Sequence, residues 1–168
     1  SHFAPPGSPL DREARQRGTS VYLPQRVLPM FPELLSNGLA SLQQGKARFA
    51  KSVLLDLTPQ GQVAHVRFAN SAIKVTRRFA YDEVTRILEQ IDAGKSADGD
   101  LSPDLADLLR MGRDLARILH QRRLKRGALE LNMPEAELEY DKDGRVAGGH
   151  FRKHEISHQI VEEFMLLA

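Results

Sequence analysis

The chain has 168 residues, 41% of them hydrophobic, which suits a packed domain and excludes a chain disordered throughout. Against 22 aspartates and glutamates stand 24 lysines and arginines, and a net charge of +2 excludes bulk charge as the basis of any nucleic-acid contact, which must then come from local clusters. Cysteine is absent, so disulfide frameworks and thiolate metal sites are excluded, in keeping with a reducing, cytoplasmic setting.

Residues 1–10 carry three prolines and no apolar run, so they read as neither a secretory nor a transit segment. Leu10 to Arg17 is charged and helix-compatible, with Gly18 as its stop. Thr19 to Leu23 reads as a β-rich stretch. Beyond it, Pro24, Pro29 and Pro32 remove backbone donors and fix φ, so the segment after Tyr22 is expected to be an ordered but irregular surface path, neither helix nor central strand. Such paths often carry function.

Phe49 to Leu57 and Gln62 to Val75 are rich in β-branched and aromatic residues and flank the turn residues Thr58-Pro59-Gln60-Gly61, which predicts a hairpin. Tyr81 to Ile91 spaces Val84, Ile87, Leu88 and Ile91 as on a helix, with Asp82 and Glu83 in its first turn. Asp92 to Asp100 is a Gly-, Ser- and Asp-rich connection. Ser102-Pro103 supplies an N-cap and an N1 proline, and Leu105, Leu108, Leu109, Leu115 and Leu119 are expected to form one apolar stripe of a long helix ending near Gly127. Asp141-Lys142-Asp143-Gly144 predicts a second hairpin between Ala136–Tyr140 and Arg145–Phe151. A last helix is expected from about Glu155 to Ala168, with Ile156, Ile160, Phe164 and Leu167 on one side. The longest apolar stretch, Phe164 to Ala168, is far short of a membrane span, so the chain reads as soluble with no membrane contact. The fold class expected is α+β, with antiparallel hairpins packed with helices.

Several residue groups could carry chemistry. His154-Glu155-Ile156-Ser157-His158 fits the H-E-x-x-H zinc pattern, with two imidazoles a helical turn apart and Glu155 as general base. A peptidase needs a third ligand, however, and Val161 and Phe164 stand where a metzincin-type extension would place Gly and His; the alternative is a polar helix N-terminus. Glu162 and Glu163 point about 100° apart on a helix, so both can hardly be buried; one faces a site, or both belong to a solvated face. Tyr22 and Tyr81 are candidates for stacking on bases or hydrogen bonding to phosphate, and equally for half-buried core aromatics. Basic clusters at Arg12, Arg15 and Arg17, at Lys74, Arg77 and Arg78, and at Arg122, Arg123, Lys125 and Arg126 could each track a phosphate backbone. The last lies at a helix C-terminus, where a solvated cap is the simpler explanation. No P-loop, G-x-G-x-x-G or G-x-S-x-G supports nucleotide hydrolysis, dinucleotide chemistry or acyl transfer.

The segment from Gly18-Thr19-Ser20-Val21-Tyr22-Leu23-Pro24 through Arg26-Val27-Leu28-Pro29-Met30-Phe31-Pro32 to Leu35-Ser36-Asn37-Gly38-Leu39-Ala40-Ser41 resembles, nearly residue for residue, the middle of the catalytic RNB domain of the RNase II/RNase R family of exoribonucleases. The likeness runs from Ser8-Pro9-Leu10-Asp11-Arg12-Glu13-Ala14 to the closing Glu162-Glu163-Phe164-Met165-Leu166-Leu167-Ala168, and includes Arg122 to Leu129, which is similar to the family's Arg-rich lead into a Gly-Ala-Leu turn. It departs at Ala40, where the family often has cysteine, and at Ala80, where a threonine cap is common.

The resemblance implies a segment of a single RNB catalytic domain in a processive 3′-to-5′ exoribonuclease that hydrolyses single-stranded RNA to 5′-mononucleotides with Mg²⁺. In that setting Tyr22 stacks on the 3′-terminal bases, Tyr81 orients the scissile phosphate, and Glu163 or Glu162 accepts a ribose hydroxyl. From the basic clusters, Arg77 and Arg78 are the arginines expected to bind RNA. Leu138 falls near where the family has the aromatic partner of the base clamp, which puts the clamp's second half in question. The Mg²⁺-binding aspartates are expected upstream of Ser1, and the catalytic arginine and an OB-fold domain downstream of Ala168. The chain begins at Ser-His and ends inside an apolar pattern, so it reads as cut from a longer polypeptide and is expected to be inactive alone. Two other functions stay open, a non-catalytic RNA-binding relative and a zinc peptidase built on His154 and His158. No protein partner is implied.

Overall fold

The computed structural model describes residues 2–23, 26–95, 101–130, 135–152 and 154–168. Pro24 and part of the connection read at Asp92 to Asp100 lie outside these residues. The described chain forms four α-helices, a π-helical turn and three two-stranded sheets, grouped in two compact units. This is the mixed α+β architecture expected. One unit comprises Ser1–Ala50 with Ser71–Arg78, the other Lys51–Asn70 with Phe79–Ala168.

In the first unit, helix α1 (Pro9–Arg17) starts where Ser8 Oγ accepts the Asp11 N–H at 3.2 Å and Pro9 fills the first helical position. The basic residues of α1, one of the clusters that could track phosphate, make local contacts. Arg12 donates to the Gly7 carbonyl, Arg15 pairs with Asp11, and Arg17 pairs with Glu13 and donates to the Pro29 carbonyl.

The irregular path expected after Tyr22 is corrected in two places. Strand β1 (Val21–Leu23) pairs antiparallel with β2 (Arg26–Leu28), with Tyr22 opposite Val27. Proline forbids only a central strand, and in a two-stranded ribbon both strands are edges. Leu34–Leu39 then winds as a π-helical turn after Pro32, whose carbonyl accepts the N–H groups of Leu35 and Ser36. Arg48 fastens the exit of this turn by donating to the Ser41 and Gly38 carbonyls.

Strands β3 (Ala47–Leu57) and β4 (Val63–Lys74) form the first hairpin where the turn residues predict it, and Lys51–Asn70, its tip, belongs to the second unit. Gly61, in the turn, has φ +72°, and a Cβ there would come within 3.0 Å of Ile118 on helix α3 (Pro103–Lys125). Only glycine satisfies both conditions. Its carbonyl accepts a hydrogen bond from Arg122.

The core of the second unit is made by α2 (Tyr81–Asp92), α3 (Pro103–Lys125) and α4 (Ile156–Leu167). Leu88, Ala116, Leu119 and Ile87 are its buried apolar residues. The single stripe expected on α3 is corrected at Leu108, which is 59% exposed, while Arg113, Ala116 and Leu119 form the buried line. Arg113 is admitted because Asp92 on α2 and its neighbour Asp114 both accept from its guanidinium. Burial alone would lower its pKa; hydrogen bonds to Asp114 and Asp92 outweigh this and hold it above the ordinary value. Strands β5 (Glu135–Tyr140) and β6 (Val146–Arg152) form the second hairpin, with Asp141 Oδ1 accepting from the N–H groups of Asp143 and Arg145.

Helix α2 is incompletely capped. Ala80 has the extended backbone of an N-cap, and its N–H donates to Glu83 at 3.4 Å, but it offers no side-chain oxygen in return. Replacing Ala80 by threonine is therefore expected to stabilise the protein by about 0.5–2 kcal/mol, read as a higher melting temperature.

Candidate functional site

Tyr81 sits at the first position of α2 and Glu162 and Glu163 at the seventh and eighth positions of α4, so the fold places three of the six residues of interest in one helical unit. Tyr22, Arg77 and Arg78 belong to the other unit. Tyr22 is 78% exposed on β1. Arg77 is half-buried, while Arg78 is exposed and its backbone N–H donates to Gln44.

The two glutamates divide as the 100° offset requires. Glu163 is 3% exposed and Glu162 is half-buried. Glu163 Oε1 accepts from Arg123 Nη2 at 2.8 Å and Nε at 3.1 Å. It also lies 3.0 Å from His120 Nδ1, and since a carboxylate only accepts, that nitrogen carries the proton. Burial would raise the Glu163 pKa, but hydrogen bonds from Arg123 and His120 hold it below the usual carboxylate range. The solvated cap expected of Arg122 and Arg123 is thus corrected: Arg122 binds the hairpin turn and Arg123 joins α3 to α4.

The zinc arrangement read from the H-E-x-x-H pattern is also corrected. Helix α4 begins at Ile156, with Glu155 as its N-cap residue, so His154 precedes the helix and the two imidazoles do not share one helical face. Their ring centroids are 5.9 Å apart, and each ring has another neighbour. His158 stacks on Tyr81 with centroids 4.2 Å apart and planes 14° from parallel. His154 Nε2 lies 3.3 Å from Glu162 Oε2. Among the described residues no group of three or more His, Cys, Asp or Glu is placed to hold a metal ion, so these side chains do not fit a Mg²⁺ site and none is built from them.

The outcome is one line of contacts: Tyr81, His158, His154, Glu162, Arg123, Glu163 and His120. The sequence pointed to Tyr81, Glu162 and Glu163 as site residues, placed His154, His158 and Arg123 in other roles, and gave no sign of His120. The missing signal was the histidine pair itself, which the zinc pattern absorbed. Beside Tyr81 opens an apolar groove of about 570 Å³, lined by Val84, Leu108, Leu109, Met111, Ile160 and Phe164 among others, which is why Leu108 stays exposed. Leu138, 43% exposed on β5, lies across from Gly149. No described helix is long and apolar enough to cross a membrane.

Comparison with known proteins places this geometry. The RNB domain model matches residues 1–168. Ribonuclease R of Thermotoga maritima is 38% identical over 169 residues, covering 100% of this chain and 23% of that protein. Ribonuclease R 1 of Lactococcus lactis is 36% identical over 168 residues, covering 100% of this chain and 20% of that protein. The chain thus spans about a fifth to a quarter of the length of these curated relatives. Among solved structures, RNase R of Mycoplasma genitalium in complex with ribose methylated single-stranded RNA matches with a TM-score of 0.90 at 26% identity, over 99% of this chain and 25% of that one. With a family match along its whole length and the same backbone course, the chain belongs to the RNB family.

Proposed function

We propose that this chain is the central part of the catalytic domain of an exoribonuclease that, as an intact protein, digests single-stranded RNA from its 3′ end and releases 5′-mononucleotides with Mg²⁺. The observation that carries the reading is the full-length match to Ribonuclease R relatives together with the backbone of an RNase R bound to RNA. The side chains available suit it. An open tyrosine ring such as Tyr22 can stack on terminal bases, and Arg77 and Arg78 can meet phosphates. Tyr81 would orient the scissile phosphate. Glu163 is buried, with its Oε1 held by Arg123 and His120, so Glu162, whose carboxylate is more exposed although paired with Arg123 and His154, is the better placed to accept a hydrogen bond from a ribose hydroxyl.

Magnesium, when bound, would activate the attacking water and stabilise the leaving oxygen, and its ligands are assigned to the intact protein outside residues 1–168. The cytoplasm is the compartment proposed, in line with a chain free of cysteine.

The test uses the intact polypeptide and 5′-labelled single-stranded RNA with Mg²⁺. Stepwise shortening from the 3′ end, release of 5′-mononucleotides, and no digestion of the matching DNA are expected. RNA binding without magnesium-dependent digestion would replace the reading with a non-catalytic RNA-binding relative, and neither binding nor digestion would remove it.

A further inference from the structure

We infer that His158 is a positioning residue for Tyr81, holding the phenol ring in its working orientation by stacking against one of its faces; this rests on the role proposed for Tyr81 above. Tyr81 is 42% exposed and opens α2 next to Ala80, a cap residue without a polar side chain. A side chain so placed has little in its own helix to select a rotamer. The flat contact with His158, 4.2 Å between centroids and 14° between planes, supplies the restraint from α4.

Two further contacts make that restraint specific. One helical turn along α2 from Tyr81, Thr85 Oγ1 donates to Ser157 Oγ at 3.0 Å, and Ser157 is buried beside His158. Residues 81 and 85 lie on the same face of α2, so this bond fixes the registry in which the two rings meet. At the start of α4 the Glu155 N–H donates to His158 Nδ1 at 3.4 Å, which sets the rotation of the imidazole and, in the neutral ring, leaves the proton on Nε2. The imidazole is therefore oriented by its own helix and presents a plane to the phenol. The neighbouring His154 carries the line of contacts on to Glu162.

The experiment compares kcat and KM on single-stranded RNA for the intact protein and for His158→Leu, His158→Phe, Tyr81→Ala and the double variant His158→Leu/Tyr81→Ala, each checked for folding by its melting temperature. His158→Leu is expected to lower kcat about 10- to 100-fold with a much smaller change in KM, the size associated with misplacing a reacting group by about 1 Å. His158→Phe, which keeps a ring plane, should recover most of that loss. In the Tyr81→Ala background the leucine change should add almost nothing, because its effect passes through the tyrosine. An unchanged kcat for His158→Leu, or equal losses for leucine and phenylalanine, would overturn the positioning role while leaving Tyr81 in place. A fully active Tyr81→Ala would instead remove the role of the tyrosine, and the inference with it.

Discussion

Replacing Arg123 by leucine is expected to destabilise the protein by about 2–3 kcal/mol, which for a domain of this size lowers the melting temperature by roughly 4–12 °C. The reason is what is left behind. Glu163 is 3% exposed, and its Oε1 takes two hydrogen bonds from Arg123 and one from His120. Without Arg123 a buried carboxylate keeps only His120 as a partner, and a buried charge that has lost its counter-charge is far more costly than the pair was beneficial. The value sits at or below the ~3–5 kcal/mol typical of a fully enclosed pair because Arg123 is itself about a third exposed. The double variant Arg123→Leu/Glu163→Leu should recover more than half of the loss, since no charge then remains to be solvated.

The pH dependence has a definite sign. Glu163 is held below the usual carboxylate range, so the pair's contribution is complete above that range and is lost as pH falls through the lowered native value. In Arg123→Leu the same carboxyl is buried with less compensation and protonates readily. The difference in melting temperature between wild type and Arg123→Leu should therefore narrow on acidification. A gap that stays constant from neutral pH through the carboxylate range would remove Glu163 as the buried charge at fault.

The second large effect concerns binding. Tyr22→Ala in the intact protein is expected to weaken single-stranded RNA affinity about 5- to 150-fold, corresponding to ~1–3 kcal/mol for one lost base stack. The ring is 78% exposed on an edge ribbon, so its removal creates no cavity and should leave the melting temperature nearly unchanged. Salt separates this loss from that of a phosphate contact. Tyr22→Ala should shift the affinity at every salt concentration and leave the slope of log Kd against log salt as it was. Removing Arg78 should reduce that slope by about 0.7, the value for one phosphate contact on a single strand. An unchanged Kd for Tyr22→Ala would exclude the tyrosine from the RNA path.

Where a local rule decides the structure, the residues could be read directly. Ser102-Pro103 starts α3 because a hydroxyl and a proline meet the needs of a helix N-terminus, and Asp141 to Gly144 turns the second hairpin because aspartate and glycine accept that backbone. The offset of Glu162 and Glu163 followed from helical geometry alone. The π-helical turn at Leu34–Leu39 had no such rule, since it depends on Arg48 reaching back to the carbonyls of Gly38 and Ser41. The bond between Arg123 and Glu163 was equally hidden, because ion-pair choice over 40 residues is made by the packing of α3 on α4. His154 and His158 misled for a different reason. Their spacing is that of a metal-binding helix, but the helix starts after the first of them, so one ring turns toward Glu162 and the other toward Tyr81.

The span between Arg123 and Glu163 also bears on how the chain is made. Arg113 finds Asp92 21 residues behind it, so α2 and α3 can join while later residues are still being synthesised. Arg123 must wait for a partner 40 residues ahead, about 2–8 s at a ribosomal pace of ~5–20 residues per second. During that interval the end of α3 presents an unmatched cation, and the emergence of α4 supplies at once the carboxylate that neutralises it and the histidine that meets Tyr81. Completion of the helical unit and assembly of its line of contacts are thus a single event during synthesis.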